Sequence, residues 1–386
     1  MKNLRLKEVL KEDFWIMPAT PKFIDNGIPY ITSKNIKNGR INFDNIKFIS
    51  DNDYEKISKN RPILENDILI SMIGTLGETA VVHKDDGSFY GQNMLLVRLD
   101  TNLITQRFFI NFFKSNSIKN QLLSKQNKST QSYLKLTHIE DLILPAYSIV
   151  EQTKISKRLD LIQEIISKKQ KQLNSLDNLI KSLFVNMFND KIQFPRELLK
   201  NNIEEMFIGP FGSDLKNEFF VDKTSSYCVV YEQKHAINKY IGDFRYINKD
   251  KYNKLKRFEI QPEDIIVSCR GTIGETYVIP KNSPLGIMHP SIMKIRLKKD
   301  KYNSIFFNEI ISNYLYENAE KNNGGIIKMA IKASDLANTD FIRPDIKEQE
   351  NYLKLKQQID KQKFEIQNGL NKMKELYETL INKYFG

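Results

Sequence analysis

The chain repeats itself with an offset of 197 residues, and this duplication limits its possible folds more than any other feature. Residues 67–79 read DILISMIGTLGET and residues 264–276 read DIIVSCRGTIGET, with identity at eight of thirteen positions. Similar offsets align further pairs: Tyr30 with Tyr227, Arg98 with Arg296, Phe108 with Phe306, Pro145 with Pro344, Gln152 with Gln349 and Phe188 with Phe385. We infer that one ancestral unit of roughly 195 residues occurs twice in this 386-residue chain.

Each repeat shows strand and turn patterns first and a long helical pattern afterwards. Short runs rich in Ile, Val, Phe and Tyr, such as DILISMIG and MLLVRL, alternate with Gly, Asn and Asp, which is typical of strands joined by turns. Seam residues then recur at alternating spacings of four and three. Nine of the ten seam positions from Ile155 to Met187 are apolar, as are eight of the ten from Tyr352 to Tyr384. This heptad pattern predicts two coiled-coil helices.

The order of these parts predicts how the helices pair. The first helix leads from one globular part into the other, so the second helix must run back along it to bury its apolar face. We therefore predict a mixed α+β (α/β) fold with two tandem domains and an antiparallel coiled coil about 55 Å long, with pseudo-twofold symmetry. The predicted boundaries are 1–148 for domain one, 149–190 for the central helix, 191–345 for domain two and 346–386 for the C-terminal helix.

Both predicted helices also carry apolar residues beside the seam. A hairpin of two helices cannot cover both sides of such faces. Two explanations stay open: these side chains pack on the chain's own globular domains, or helices of partner subunits complete a larger bundle. The residues concerned are Ile165, Phe184, Phe188, Phe364, Leu376 and Phe385.

The charge balance favours an acidic partner. The chain has 59 Lys and Arg against 47 Asp and Glu, a net charge of +12, and its pI is about 9.3. Nucleic acid is the commonest partner of such proteins, although a Lys- and Asn-rich genome produces the same excess without a function. The excess is spread over both halves of the chain, so any nucleic acid must bind to folded surfaces rather than to a basic tail.

Cysteine usage and the N-terminal sequence predict a cytoplasmic location. Cys228 and Cys269 are far apart and form no CxxC motif, which favours reduced thiols over a zinc site. The first fifteen residues carry charges throughout, and no run approaches the roughly 18 apolar residues that span a membrane. We expect neither a signal peptide nor a membrane-spanning segment.

The signatures of catalysis and cofactor binding are missing from the sequence. It contains no GxxxxGK[ST], no GxGxxG after a strand and no [DN]PP[YF]. The four histidines, His83, His138, His235 and His289, lie apart from one another and from any second ligand at metal spacing. The repeated GTxGET segment is interpreted as a tight hairpin that needs positive φ at its glycines, with phosphate binding by its N–H groups as the lesser possibility. We therefore predict no catalytic, cofactor-binding or metal-binding residues in this chain.

The duplicated architecture and three motifs resemble the specificity subunit of type I restriction–modification systems. The motifs are D-I-x-x-S-x-x-G-T-x-G in both copies, GPFGS at 209–213 and P-x-x-x-x-x-E-Q at 145–152. The resemblance covers nearly the whole chain. Copy one departs from it by having PATPKFIDNGIPYI where copy two has GPFGS, and copy two has HPS at 289–291 where copy one has GQN at 91–93. Such differences are expected if the two domains read different DNA sequences.

The resemblance implies a non-catalytic subunit with several partners. Each globular part would be a target-recognition domain for one half of a split site in double-stranded DNA. The helices would set the spacing and dock two methyltransferase subunits that methylate adenine. The methyltransferase would hold S-adenosylmethionine, and restriction subunits that join it would hold ATP and Mg; whether these accompany the complex is left open.

Polar and basic loops supply the predicted DNA contacts, because the family has DNA-facing loops in these regions. For any single residue, an ordinary solvated loop stays the alternative. Several carry the amide that pairs with adenine, and Lys34 and Arg40 suit guanine or phosphate. The predicted residues are Ser33, Lys34, Asn35, Lys37, Arg40, Lys125, Gln126, Asn127, Lys128, Ser129, Gln131 and Tyr133 in domain one, and Gln233, Lys234, His235, Lys239, Lys321, Asn322, Asn323 and Lys328 in domain two.

Two other classes of function stay open at this point. A coiled-coil adaptor whose basic charge reflects genome composition would retain no DNA in a sequence-dependent way, even with partners present. A self-sufficient enzyme is disfavoured by the missing motifs, and turnover by the purified chain alone would revive it.

Overall fold

The chain divides into two compact units. Unit one comprises residues 1–173 and 365–386, and unit two comprises residues 174–364. The computed structural model describes residues 3–17, 21–37, 39–72, 77–124, 139–188, 194–269, 272, 274–321 and 332–386, with the backbone alone at 119, 122–124 and 318–321.

Unit one is a mixed fold of short strands and helices. Two long helices, α4 (Ile149–Phe188) and α9 (Ile346–Phe385), contribute one part to each unit. The other helices of unit one are α1 (Asp51–Ser58), α2 (Gln106–Phe113) and α3 (Asn116–Ser124). Its strands are β1 (Asn3–Arg5), β2 (Leu10–Ile16), β3 (Ile28–Ile31), β4 (Ile36–Lys37), β5 (Arg40–Ile41), β6 (Lys47–Ile49), β7 (Ile68–Ser71), β8 (Thr79–Val81), β9 (Tyr90–Gly91), β10 (Met94–Leu99) and β11 (Ile143–Pro145).

Unit two has the same character. Its helices besides α4 and α9 are α5 (Gln233–Asn238), α6 (Lys249–Leu255), α7 (Ser304–Lys321) and α8 (Ala333–Ala337). Its strands are β12 (Arg196–Leu198), β13 (Ile203–Ile208), β14 (Cys228–Tyr231), β15 (Arg245–Ile247), β16 (Glu259–Ile260), β17 (Ile265–Ser268), β18 (Thr276–Val278), β19 (Gly286–Met288), β20 (Ile292–Leu297) and β21 (Asp340–Ile342).

The same sheets recur in both units. The larger sheet has the order β2-β10-β7-β8 in unit one and β13-β20-β17-β18 in unit two; the smaller sheets are β6-β3-β9 and β15-β14-β19-β16. Both faces of β7 are buried: Ile68 and Ile70 pack with α2, whereas Leu69 packs with the smaller sheet. This alternation follows from the two-residue period of a strand, and it explains why β7 and β17 are continuous apolar runs. The predicted duplication of a mixed α+β domain is confirmed.

The long helices pair in opposite directions within each unit. In unit one, Gln163 Nε2 donates to Tyr377 Oη at 2.6 Å and Arg158 to Tyr384 Oη at 3.2 Å. In unit two, Lys363 donates to Asp177 at 2.5 Å, and the Phe184 ring lies 5.6 Å from that of Tyr352. Rising numbers on one helix meet falling numbers on the other, so the predicted antiparallel coiled coil is confirmed.

The apolar residues beside the seam divide between the two explanations. Phe385 packs on Phe108 of unit one at a ring distance of 5.0 Å, and Phe188 packs on Phe306 of unit two at 5.1 Å. These aromatic residues thus bury themselves on the chain's own domains. Phe364 is 67% exposed and Leu376 is 41% exposed, so a partner's helices stay a prediction for them.

A buried glutamine joins the start of each long helix to the domain before it. Gln152 accepts from Thr105 N at 2.7 Å, and its Nε2 donates to Leu103 O and Tyr147 O, each at 2.9 Å. Gln349 repeats this pattern, since it accepts from Asn303 N at 2.8 Å and donates to Lys301 O and Pro344 O. The glutamine of the E-Q motif therefore satisfies three buried backbone groups in each unit.

A partly buried ion network repeats on an inner strand of each larger sheet, β10 in unit one and β20 in unit two. Arg98 binds Asp67 through two bonds of 2.8 Å and reaches Glu12 at 2.8 and 2.9 Å. Arg296 binds Asp264 through two bonds of 2.8 Å and Glu205 at 2.9 Å. These paired bonds match the planar guanidinium fork. In unit two Lys294, 1% exposed, adds a second cation at 2.7 Å from Glu205.

Strand register corrects two of the predicted alignments. Ile28 pairs with Ile49 and Cys228 pairs with Ile247, so Tyr30 corresponds to Val230 and not to Tyr227. The segment from the first sheet to this strand is eight residues longer in unit two, 209 to 228 against 17 to 28, which shifts the offset. Pro344 bonds to Gln349 as Tyr147 does to Gln152, so Pro344 does not correspond to Pro145.

No helix among the described residues is long and apolar enough to cross a membrane.

Removing either buried glutamine is expected to destabilise the protein. In Gln152→Ala or Gln349→Ala, two carbonyls and one N–H lose their partner inside the fold, which costs about 3 kcal/mol of unfolding free energy. Urea-induced unfolding measures this loss. The exposed Gln172 on α4 and Gln358 on α9 supply matched controls, and an equal loss in the control alanine variants would contradict the role of the glutamines.

The ion network is expected to make stability depend on acid pH. The hydrogen bond from Arg98 holds the pKa of Glu12 below its ordinary value of 4.5. A carboxyl with a lowered folded pKa contributes stability that is complete above the unfolded pKa and is lost as pH falls through the folded one. Glu12→Gln should therefore lose less stability than wild type between pH 6 and pH 3. Urea midpoints measured across this range test the expectation. If the midpoints of both proteins fall in parallel, the Glu12 carboxylate does not cause the pH dependence.

Candidate nucleic-acid interface

The GTxGET segment closes a hairpin in both units through its own backbone. Gly77 and Gly274 have φ of 80° and 89°, as predicted, and their N–H groups donate to Ser71 O at 3.1 Å and Ser268 O at 2.9 Å. Each serine hydroxyl accepts from a glutamate N–H at 3.0 Å. The loop between the strands is wider than the predicted tight hairpin. Because these N–H groups are used internally, they favour the predicted structural turn. Residues 73–76, 270, 271 and 273 lie outside the described residues, so phosphate binding by their N–H groups stays the lesser alternative.

In unit one, the first predicted contact region follows β3. Ser33, Lys34 and Asn35 form a short 3-10 turn, and Lys37 and Arg40 lie on the two-residue strands β4 and β5. Lys34, Lys37 and Arg40 are exposed, and none makes an ion pair with another described residue. These three cations are thus available to a phosphate or a base edge.

The side chain of Asn35 has a role inside the fold. Its Oδ1 accepts from Thr32 N at 2.9 Å, and its Nδ2 donates to Asn42 O at 2.9 Å. Asn35 therefore closes the loop that presents its basic neighbours, and its own predicted contact with DNA stays a prediction.

In unit two, the corresponding region forms helix α5. His235 is 1% exposed; its Nδ1 accepts from Glu232 N and its Nε2 donates to Gly242 O, both at 2.8 Å. Burial lowers the pKa of His235 from 6.5, so the ring is neutral at physiological pH. Lys234 pairs with Asp243 at 3.0 Å, and Lys239 binds Glu275 and Thr276 O at 2.7 Å. These three side chains hold α5 in position.

Gln233 differs from its neighbours on α5. It lies at the first position of the helix and is half-buried. Its Oε1 accepts no hydrogen bond from the described part of the chain. That oxygen is itself buried, so the predicted contact of Gln233 with DNA stays a prediction.

The two units use different elements at the same place on the same framework. The loop starts alike in both, since Thr32 N donates to Asn35 and Glu232 N donates to His235. Unit one then continues as the β4–β5 hairpin, whose Gly39 bridges Ala80 of β8. Unit two instead forms α5, whose following residue, Lys239, bonds to Thr276 of β18. The sheets are therefore common to both units, whereas the β4–β5 hairpin and α5 are the parts that differ.

The side chains of the remaining predicted contacts lie outside the described part of the chain. Lys321 ends α7 with only its backbone described. The others lie outside the described residues: Lys125, Gln126, Asn127, Lys128, Ser129, Gln131, Tyr133, Asn322, Asn323 and Lys328. Their contacts with DNA stay predictions.

Helix α6 carries basic residues that are absent from the predicted contacts. It begins with Lys249 and Lys251 and continues to Lys254, in the sequence KDKYNKL. The signal was present in the sequence: the corresponding helix of unit one, α1, reads DNDYEKIS, with Asp51 and Asp53 at the places of Lys249 and Lys251 and with Lys56 at the place of Lys254. Averaged charge counts over whole domains conceal this local difference.

The described residues contain no group of three or more His, Cys, Asp or Glu side chains placed to hold a metal ion. Both cysteines are buried in unit two and form no disulfide, and burial raises the pKa of Cys228 to about 12. That thiol stays protonated at neutral pH. Unit two thus uses Cys228 as a small buried side chain in its core.

His235 is expected to stabilise unit two. His235→Ala removes the ring that bonds to Glu232 N and Gly242 O and leaves a buried cavity, so the unfolding free energy should fall by about 2–3 kcal/mol. The exposed His83 serves as the control, since His83→Ala should change stability by less than about 0.5 kcal/mol. Thermal unfolding of both variants tests this difference, and equal midpoints would contradict it.

Comparison with known proteins assigns this fold to a family. The family model described as the type I restriction modification DNA specificity domain matches residues 1–177 and 216–375. A Methanocaldococcus jannaschii protein named as the MjaX type I restriction enzyme specificity subunit is 23% identical over 374 residues, which cover 92% of this chain and 87% of that protein. The EcoBI specificity subunit of Escherichia coli is 21% identical over 173 residues, 44% of this chain and 36% of that protein.

Solved structures share the fold. One, from a study of complex assembly and conformational transition of the type I R-M system, has a TM-score of 0.64 at 15% identity and covers 99% of this chain and 97% of that one. The type I restriction–modification S subunit from M. genitalium has a TM-score of 0.54 at 13% identity, covering 100% and 96%. Because the family model matches both copies and most of the chain, this protein belongs to the family of type I restriction–modification DNA specificity subunits.

Proposed function

We propose that this chain reads a split DNA site, with one globular domain for each half. The observation that carries the proposal is a repeated framework with different surfaces at one position: the β4–β5 hairpin in unit one and α5 in unit two. A single reader used twice would need no such difference. Two readers with a common framework instead recognise two different half-sites, with phosphate contacts positioning the protein and base contacts specifying the sequence.

The exposed cations beside β3 supply contacts to the first half-site. Lys34, Lys37 and Arg40 are exposed and belong to a loop that the Asn35 side chain holds closed. A closed loop presents its side chains at lower entropic cost than an open one. In the second domain, Gln233 stays the candidate for base contact, because an amide offers both a donor and an acceptor to adenine. Its Oε1 is buried, so this contact requires the side chain to turn outward.

The long helices link the readers to the partner enzymes. Their seams are closed and their terminal aromatic residues are buried on the domains, whereas Phe364 and Leu376 stay exposed. Exposed apolar residues on a paired helix suit the addition of further helices. We assign these positions to the docking of two methyltransferase subunits that methylate adenine.

The cofactors belong to the partners in this proposal. The methyltransferase subunits would bind S-adenosylmethionine, and ATP and Mg would be bound by restriction subunits that join them. This chain, a specificity subunit, is not itself an enzyme, and it holds the duplex while its partner flips and methylates the base.

Exchange of one domain tests the proposal. Replacing residues 1–148 with the corresponding domain of another specificity subunit should change one half of the methylated motif and leave the other half and the adenine product as they were. Sequencing of methylated DNA from cells that carry the chimaera reads out both halves. A motif that stays unaltered, or one altered in both halves, would contradict the assignment of one domain to one half-site.

A further inference from the structure

Helices α1 and α6 occupy the same place in the two units and carry opposite charge. Each follows the edge strand of the smaller sheet directly, and each begins at a side-chain cap: Ser50 Oγ accepts from Asp53 N at 3.1 Å, and Asn248 Oδ1 accepts from Lys251 N at 2.9 Å. From this cap onwards the positions correspond one to one. Unit one has Asp51, Asp53 and Glu55 where unit two has Lys249, Lys251 and Asn253.

The basic residues of α6 are not explained by the stability of the helix. Acidic side chains are the favoured ones in the first turn, where they meet free N–H groups, and α1 follows this rule. Lys249 and Lys251 occupy the same turn of α6 against this preference. A role outside the helix therefore accounts for them better than a role within it.

The charges of α6 have no carboxylate partner among the described residues. The segment from Asn248 to Phe258 contains Lys249, Lys251, Lys254, Lys256 and Arg257 but a single acid, Asp250. None of the five cations makes an ion pair within the described part of the chain. By contrast, Lys281 and Lys299 of the same unit both pair with Glu263.

Aromatic rings hold these lysines at the surface. Lys251 Nζ lies 3.5 Å from the centre of the Phe219 ring, and Lys249 Nζ lies 5.7 Å from that of Tyr227. Both rings belong to the segment that is eight residues longer in unit two. Phe220, the neighbour of Phe219, stacks on Arg245 at 3.9 Å. In unit one, Phe23 stacks on Lys47 in the same way at 4.2 Å. The stack of an aromatic ring on a cation is thus common to both units. The rings of Phe219 and Tyr227 occur only in unit two, together with the basic helix α6.

We propose that the basic residues Lys249, Lys251 and Lys254 of α6 bind the phosphate backbone of duplex DNA, a contact that α1 of unit one does not provide. This inference rests on the proposed function. Unpaired cations interleaved with aromatic rings complement a polyanion, and phosphate contacts need no base sequence. The acidic α1 repels a phosphate at the corresponding place. An acidic protein surface is the competing partner, and the test below separates the two.

The test compares two triple variants in the complex of this chain with its methyltransferase subunits. Lys249→Ala/Lys251→Ala/Lys254→Ala removes three unpaired cations, and Lys281→Ala/Lys299→Ala/Lys301→Ala removes three that each have a carboxylate partner. Binding of target and non-target duplexes is measured between 50 and 200 mM salt. The α6 variant should lose about tenfold or more in affinity for both duplexes, and its salt slope should fall by about two to three. The control should keep the wild-type slope.

Three results would overturn the inference. An α6 variant with the slope and affinity of wild type would show that these lysines do not touch DNA. An α6 variant that keeps its DNA affinity but loses methyltransferase subunits in size-exclusion chromatography would show that these lysines bind a protein and not DNA. Equal losses of DNA affinity in the α6 and control variants would show that the effect comes from the net charge of the protein and not from the position of these lysines. A wild-type complex that prefers neither duplex would instead contradict the proposed function itself, which keeps the two failures distinct.

Discussion

The buried glutamine at the start of each long helix is the interaction on which the attachment of that helix to its own domain depends. Gln152 and Gln349 each satisfy one N–H and two carbonyls that would otherwise be buried without a partner. A side chain with three fixed bonds leaves the helix little freedom to change its angle to its own domain. The joint between each long helix and its own domain is therefore held in one geometry.

Rigid joints allow the surfaces to vary. The Arg–Asp–Glu network, the serine-closed hairpin and the stack of an aromatic ring on a cation recur in both units. Between these shared features the two units differ in three respects. Unit two has a helix in place of the hairpin of unit one, a connecting segment that is eight residues longer, and a basic helix where unit one has an acidic one. Each difference lies in a connecting segment, where insertions cost little stability.

Features that bury apolar surface at regular spacing could be predicted from the sequence. The seam from Ile155 to Met187 follows the helical period, and the alignment of Gln152 with Gln349 follows from the repeat. The register of Tyr30 could not be predicted, because a matching letter at Tyr227 concealed an insertion in a loop without periodic structure. The role of His235 was equally hidden: its partners, Glu232 N and Gly242 O, are backbone groups, which leave no mark on the sequence.

Sequencing of methylated DNA from cells with and without this chain would show whether the chain decides which DNA sequence is modified. We expect cells with the chain to carry methylated adenine in a motif of two unlike halves separated by a fixed spacer, and we expect this motif to lose its methylation when the chain is deleted. A methylation pattern that is the same in both cells would contradict this expectation.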